Sequence, residues 1–290
     1  MKRPQKTKDL FHTMDISNAL RGWEFQSGQV NVRLIRGGDG KPKIQLRLDL
    51  GLLQMELSGR PDGKRPHRSV TELDYQSRRL ERLIKKTGSD VGFQLTSRDC
   101  QALRDESAMF YHRYLSLFVL EQYQAVLRDT QHNIDTLNLC HNYGQTEYDR
   151  VCLEQYRPYI LMMHTRARAC EALRKGYIKT AIAYLRGGIK LIARLMPRKG
   201  RKTRLRHSHE ARIMLEMIKQ IREQLPPDPQ EVLAAKLKAA VAGENYEEAA
   251  QIRDQLLDLT ANAVVSSHNA KLATPKRQRS SSKKPPANEP

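Results

Sequence analysis

Cysteine is scarce in this sequence and never closely spaced. Its four residues, Cys100, Cys140, Cys152 and Cys170, contain no C-x-x-C pair. That spacing excludes the usual structural zinc frameworks and gives a disulfide scaffold no support. All four fall in apolar helical stretches, where cysteine is ordinarily a small buried hydrophobe, so a reducing compartment is expected. Aromatic residues are few, at 6%. No apolar run approaches the roughly 18 residues that a membrane span requires. The first eight residues are basic, but the residues after them are mixed rather than apolar, so no secretion signal is expected. These absences predict a soluble, cytoplasmic protein without membrane partners.

Catalytic signatures are missing too. There is no G-x-x-x-x-G-K-[ST], no G-x-S-x-G and no H-E-x-x-H. Gly37, Gly38 and Gly40 precede a strand-like run rather than a helix, which makes them a turn and not a dinucleotide fingerprint. His207 and His209 form a close pair inside a basic segment, and His112 and His164 lie in helical stretches as core or boundary residues. No enzyme activity, cofactor or metal is expected.

Acidic residues are outnumbered. Lys and Arg total 51 against 32 Asp and Glu, a net charge of +19 on 290 residues. Such an excess favours polyanions or acidic partners. It concentrates in residues 197–207, where Arg198, Lys199, Arg201, Lys202, Arg204 and Arg206 occur without an acid. These six are candidates for phosphate contact. With no aromatic residue in the run, binding would be backbone-driven and sequence-blind. A solvated basic linker is the alternative reading.

The length suggests one or two folded domains plus tails. Residues 1–14 read as a basic flexible arm. Residues 15–68 read as a β-meander. Val30, Val32 and Leu34 alternate with polar positions, Gly37-Gly38-Asp39-Gly40 supplies a turn, and Ile44, Leu46, Leu48 and Leu50 alternate again. Leu52–Leu57 continues the meander after a bend at Gly51. Trp23, Phe25 and the following helices are expected to cover its apolar face. Arg47, Asp49, Gln54 and Glu56 line either a specific site or a solvated face, the second being favoured. Residues 69–196 carry helical periodicity, divided near Glu121-Gln122, and form a bundle. The stretch from Ala169 to Ile189 is similar to tetratricopeptide-type helical pairs, with an echo at Glu121–Leu127. These echoes are too far apart for a regular array. A basic linker at 197–210, a connecting helix at 211–227, a hairpin at 228–260 and a disordered basic tail at 261–290 complete the chain. The fold class is α+β, mostly α: a small N-terminal antiparallel β-meander, a helical bundle and a C-terminal αα-hairpin.

That hairpin is the most informative segment. Leu233, Leu237 and Val241 recur at helical spacing, Gly243 interrupts, and Tyr246, Ala249, Ala250, Ile252, Leu256 and Leu259 resume it. Residues 229–259 hold six acids against three bases, an acidic island in a basic chain. A pair this short is expected to dock its apolar face on something else.

Asn245-Tyr246-Glu247-Glu248-Ala249-Ala250-Gln251-Ile252-Arg253-Asp254, preceded by Leu237-Lys238-Ala239-Ala240-Val241, resembles the UVR motif. That motif is the helical hairpin of the excision-repair proteins UvrB and UvrC and of some adaptors of Clp-type proteases. The resemblance covers about a tenth of the chain and implies a protein–protein module in which one hairpin packs on another. It makes Leu237, Val241, Tyr246, Ala249, Ala250, Ile252, Arg253, Asp254 and Leu256 the partner-binding candidates. Tyr246, Ile252 and Leu256 are expected on the apolar side of the second helix, with Arg253 and Asp254 at its edge. The partner would be another such hairpin or a second copy of this chain. The helicase, nuclease and zinc modules that accompany the motif elsewhere are missing, so docking carries over and excision does not. The function expected is a non-enzymatic interaction protein in the context of DNA excision repair. The alternatives are a sequence-independent nucleic-acid binder and a helical scaffold or protease adaptor.

Overall fold

A computed structural model describes residues 15–224 and 229–257. The basic arm, the tail beyond residue 257, and Pro226 and Pro227 of the Pro-rich boundary lie outside the described residues. The chain divides into two compact units, Met1–Ile221 and Arg222–Pro290.

The first unit begins with a short helix, α1 (Ser17–Leu20), and a three-stranded antiparallel sheet. Its strands β1 (Asn31–Arg36), β2 (Pro42–Leu48) and β3 (Gly51–Glu56) pair in sequence order, with Val32 opposite Leu46, Leu34 opposite Ile44, and Ile44 opposite Met55. Because side chains alternate along a strand, this register puts the apolar residues on one face. The β1–β2 turn closes with Gly40 at φ 74°, a left-handed conformation that glycine adopts without strain. The alternation predicted from sequence runs two residues too far. Leu48 pairs with Gly51, so Asp49 and Leu50 form the β2–β3 turn, and Leu50 is 94% exposed.

Helices cover the apolar face, as expected. Ile44, Leu46 and Met55 join Tyr114, Leu117 and Val126 in one buried cluster. Trp23 does not join them. It stacks under the guanidinium of Arg33, 4.0 Å from the ring centroid, and Arg33 belongs to the polar face. The polar residues of the sheet do not converge on a site. Arg47 Nη1 donates to the turn carbonyls of Asp49 and Gly51, at 3.1 and 2.9 Å. Gln54 accepts from Gln45, and Glu56 pairs with Lys43.

Two buried acids fix the sheet and the first long helix to the bundle. Arg113 is fully buried and holds Asp129 through Nε and Nη2, at 2.6 and 2.9 Å. Its Nη1 donates to the carbonyls of Glu56 and Gly59 at the end of the sheet, at 3.0 and 2.8 Å. Glu106 accepts from the backbone N–H groups of Glu72 and Leu73. These are orphan donors at the start of α2 (Glu72–Thr87), so a side chain distant in sequence caps that helix.

The bundle proper is α3 (Ser97–Val119), α4 (Tyr123–Tyr143), α6 (Arg157–Arg174) and α7 (Ile178–Leu195), each packing on the next, with short α5 (Glu147–Val151) between α4 and α6. Helix α3 starts on a Thr96–Asp99 capping box. Helices α6 and α7 approach closely at Gly188, where an added Cβ would lie 2.5 Å from Thr165. The basic segment expected as a linker is helical instead. Its helix α8 (Arg201–His207) follows Gly200 at φ 74° and packs Leu205 on the core. Helix α9 (His209–Glu223) is likewise no bare connector, because Met214, Ile218 and Ile221 are buried in the same cluster. Leucine and arginine favour helix once an apolar side chain finds a core to bury against.

The second unit contains α10 (Pro229–Ala242) and α11 (residues 246–257), the expected αα-hairpin.

Candidate functional site

The turn between α10 and α11 is a Schellman motif. Asn245 N–H donates to the Ala240 carbonyl at 2.9 Å, and Glu244 N–H donates to the Val241 carbonyl at 3.2 Å. The left-handed residue is Glu244, at φ 57°, and not the neighbouring Gly243. Asn245 begins α11, donating from its side-chain amide to Glu248 at 3.1 Å. Glu247 and Glu248 in the first turn of α11 complement the positive end of its dipole.

The same turn occurs twice in the first unit. Glu121 between α3 and α4, at φ 56°, and Gly176 between α6 and α7, at φ 77°, occupy the left-handed position. Gln122 N–H donates to the Leu117 carbonyl and Tyr177 N–H to the Ala172 carbonyl, both at 2.9 Å. Five residues beyond the left-handed position a small or branched side chain is buried each time: Val126, Ala181 and Ala249. Two residues beyond it the three turns part. Tyr123 and Ile178 pack on the bundle core, whereas Tyr246 is 69% exposed.

The candidate residues therefore sort into two sets. Ala240, Ala249 and Ile252 are buried in a small seam, with Leu233, Leu237 and Leu256 packed against it. Val241, Tyr246, Arg253 and Asp254 face outward, and Ala250 is half-buried. Tyr246 does not share a face with Ile252, because six residues advance an α-helix by about 240°. It shares one with Ala250, Arg253 and Leu257, which follow at four, seven and eleven residues. Leu257 is 60% exposed and was not among the candidates read from sequence, though its spacing from Tyr246 was the available signal. Arg253 and Asp254 pair at 2.9 Å on the surface.

The six basic candidates lie on and just before α8, and the structure extends their field. From Ala172 to His209 the chain holds twelve Lys and Arg and no acid. Lys179, Arg186, Lys190 and Arg194 lie exposed on one face of α7, a ladder of about 22 Å at 1.5 Å per residue. Among the described residues none of these four, and none of the six near α8, takes part in an ion pair. The α7 ladder escaped sequence reading because its members are seven and four residues apart rather than contiguous.

Two cysteines far apart in sequence meet. Cys100 and Cys140 lie in one buried cluster; the interaction between their thiols holds Cys100 below its ordinary value and, with burial, pushes Cys140 up. Both are buried and free. Among the described residues no group of three His, Cys, Asp or Glu could hold a metal ion, and no helix is long and apolar enough to cross a membrane.

Comparison with known proteins reaches the hairpin alone. No curated protein and no solved structure matches the chain. A family model does: the UVR motif, described as the UvrB/uvrC motif, matches residues 230–260, the segment that forms the α10–α11 pair.

Proposed function

We propose that this protein is a non-catalytic docking protein whose α10–α11 hairpin captures a second protein through the outward stripe of Tyr246, Ala250, Arg253 and Leu257, together with the exposed Val241 of α10. The observation that supports it most is Tyr246. In both bundle turns the equivalent side chain is packed, and in the hairpin it is exposed. A large aromatic ring at the rim of a small-residue seam is the composition of an interface anchor. The acidic balance of the hairpin sets it against the basic remainder of the chain and gives a docking face its charge selectivity. The partner is another hairpin of this kind, on a different protein or on a second copy of this chain. The matched motif supports DNA excision repair as the context. Deleting residues 228–262 from a tagged full chain should abolish capture of its partner from nuclease-treated native extract. Unchanged capture would remove the hairpin from the interface.

The acid-free stretch supports a second activity, sequence-independent binding of nucleic-acid backbone through α7 and α8. Such binding should weaken steeply between about 50 and 200 mM salt. Changing the six α8-region cations to Gln should flatten that dependence, and changing Lys179, Arg186, Lys190 and Arg194 should flatten it further. No binding at low salt would leave both helices as solvated surface.

A further inference from the structure

Tyrosine is unevenly placed in the first unit. Of eleven in the chain, five line one cavity of about 770 Å³: Tyr111, Tyr114, Tyr148, Tyr156 and Tyr159. The cavity lies among α3, α4, the start of α6 and the α5 segment, and its volume is in the range of small-molecule sites. Tyr111 and Tyr159 reach across from α3 and α6, with ring centroids 6.0 Å apart. Tyr114 meets Tyr111 edge-on at 5.6 Å. Burial pushes the Tyr159 phenol up to about 12, so it stays a neutral group.

Charge is cancelled in the wall. Arg104 donates to Asp149 at 2.9 Å and to Gln101 at 2.8 Å, and its guanidinium sits over the Tyr148 ring at 5.4 Å. A charged ligand would find no free counter-charge there. The floor is polar and incomplete. Asn133 Nδ2 donates to the Ser107 carbonyl at 3.0 Å, which fixes the amide orientation and leaves Asn133 Oδ1 over. Asn133 Oδ1 and Ser107 Oγ are both buried without a hydrogen-bond partner. Buried polar atoms of this kind are rare, because each forfeits its hydration. At the rim, Tyr148 and Tyr156 are 67% and 54% exposed. Packing accounts for Tyr114, which is buried; it does not account for two exposed rings and two orphan oxygens in the lining of one cavity.

We propose that this cavity is a binding site for an uncharged planar nitrogen heterocycle, of the nucleobase class. The π faces of Tyr148 and Tyr156 stack on its ring. An N–H of the ligand supplies the donor that Asn133 Oδ1 lacks, and the rotatable Ser107 hydroxyl donates or accepts beside it. An aliphatic ligand would leave both oxygens unpaired. The site is independent of the hairpin and of the docking reading.

The test is titration of the full-length protein with adenosine, guanosine, cytidine and uridine separately, by calorimetry and saturation-transfer NMR, with toluene as the apolar control. At least one nucleoside should bind saturably, and toluene should bind more weakly. Tyr148→Ala and Tyr156→Ala remove exposed rings and should leave the circular dichroism unchanged. Each should weaken that nucleoside about tenfold or more, as loss of one base–aromatic stack does. Ser107→Ala should weaken it without affecting toluene. Absence of saturable nucleoside binding, toluene binding as tightly as the nucleoside, or unchanged affinity in both tyrosine variants would each overturn the assignment.

Discussion

The α6–α7 pair and the α10–α11 pair share a turn and differ in what surrounds it. Gly176 and Glu244 hold the same left-handed position, and Ala181 and Ala249 the same buried one. In α7 the outward residues are mostly basic, Lys179, Arg186, Lys190 and Arg194, with Leu191 and Leu195 half exposed toward its end. In α11 they include Tyr246 and Leu257, both exposed apolar side chains. The turn is common to both pairs, and the outward residues distinguish them. The hairpin closes its own seam without the Tyr246 ring, and under the proposed function that ring meets the partner.

The two units differ also in the burial of their ion pairs. Arg113–Asp129 is fully buried, whereas Arg253–Asp254 is 63% exposed on both sides. Removing one partner of a buried pair leaves an uncompensated charge. Asp129→Ala should cost about 3–5 kcal/mol in chemical denaturation of the first unit. Asp254→Ala should leave the stability of the hairpin unchanged within error.

Next come the equivalent tyrosines. Tyr123→Ala removes a ring packed on the core and should destabilise the first unit by about 2 kcal/mol. Tyr246→Ala should leave the helical content of the hairpin intact. Equal losses at both positions would mean that Tyr246 is a folding residue, and the contrast would collapse.

Acid gives a further, smaller contrast. Burial would raise the Asp149 carboxyl, but bonds from Ser97, Arg104 and Thr146 outweigh it and hold the group at about 2. A depressed pKa contributes stability above the ordinary carboxylate value and loses it as pH falls through the folded value. Thermal stability of the first unit should therefore drop between about pH 4 and pH 2. Asp149→Asn should flatten part of that drop.

The smallest expected effect concerns the left-handed positions. Glu121 and Glu244 adopt φ values that favour glycine. Glu121→Gly and Glu244→Gly should each stabilise their own pair by up to about 1 kcal/mol, and Gly176→Ala should do the reverse. Denaturation midpoints of the three variants check this.

Periodicity carried much of the fold into the sequence. The strands, the break between α3 and α4 at Glu121, and the hairpin are all legible from alternation and helical spacing. The β2–β3 turn was read too late, at Gly51, because Leu50 continues the alternation; Asp49 and Leu50 form it. Trp23 was assigned to the wrong face because hydrophobicity alone cannot anticipate a ring stacked on Arg33. Helix α8 was hidden by its charge, since Leu205 finds its core only in three dimensions. The seam and the outer stripe of α11 were merged because both are apolar; the 240° between Tyr246 and Ile252 separates them. The tyrosine cavity draws on residues 111 to 159, beyond the reach of any local pattern.

The most direct measurement is partner capture from nuclease-treated native extract by the tagged full chain. Three proteins are compared: wild type, Tyr246→Ala, and Tyr177→Ala as an exposed tyrosine outside the hairpin. Losing a central aromatic anchor typically costs about 2 kcal/mol or more of binding. Tyr246→Ala should lose the partner while Tyr177→Ala retains it. Full capture by Tyr246→Ala would contradict docking through the hairpin's outward stripe.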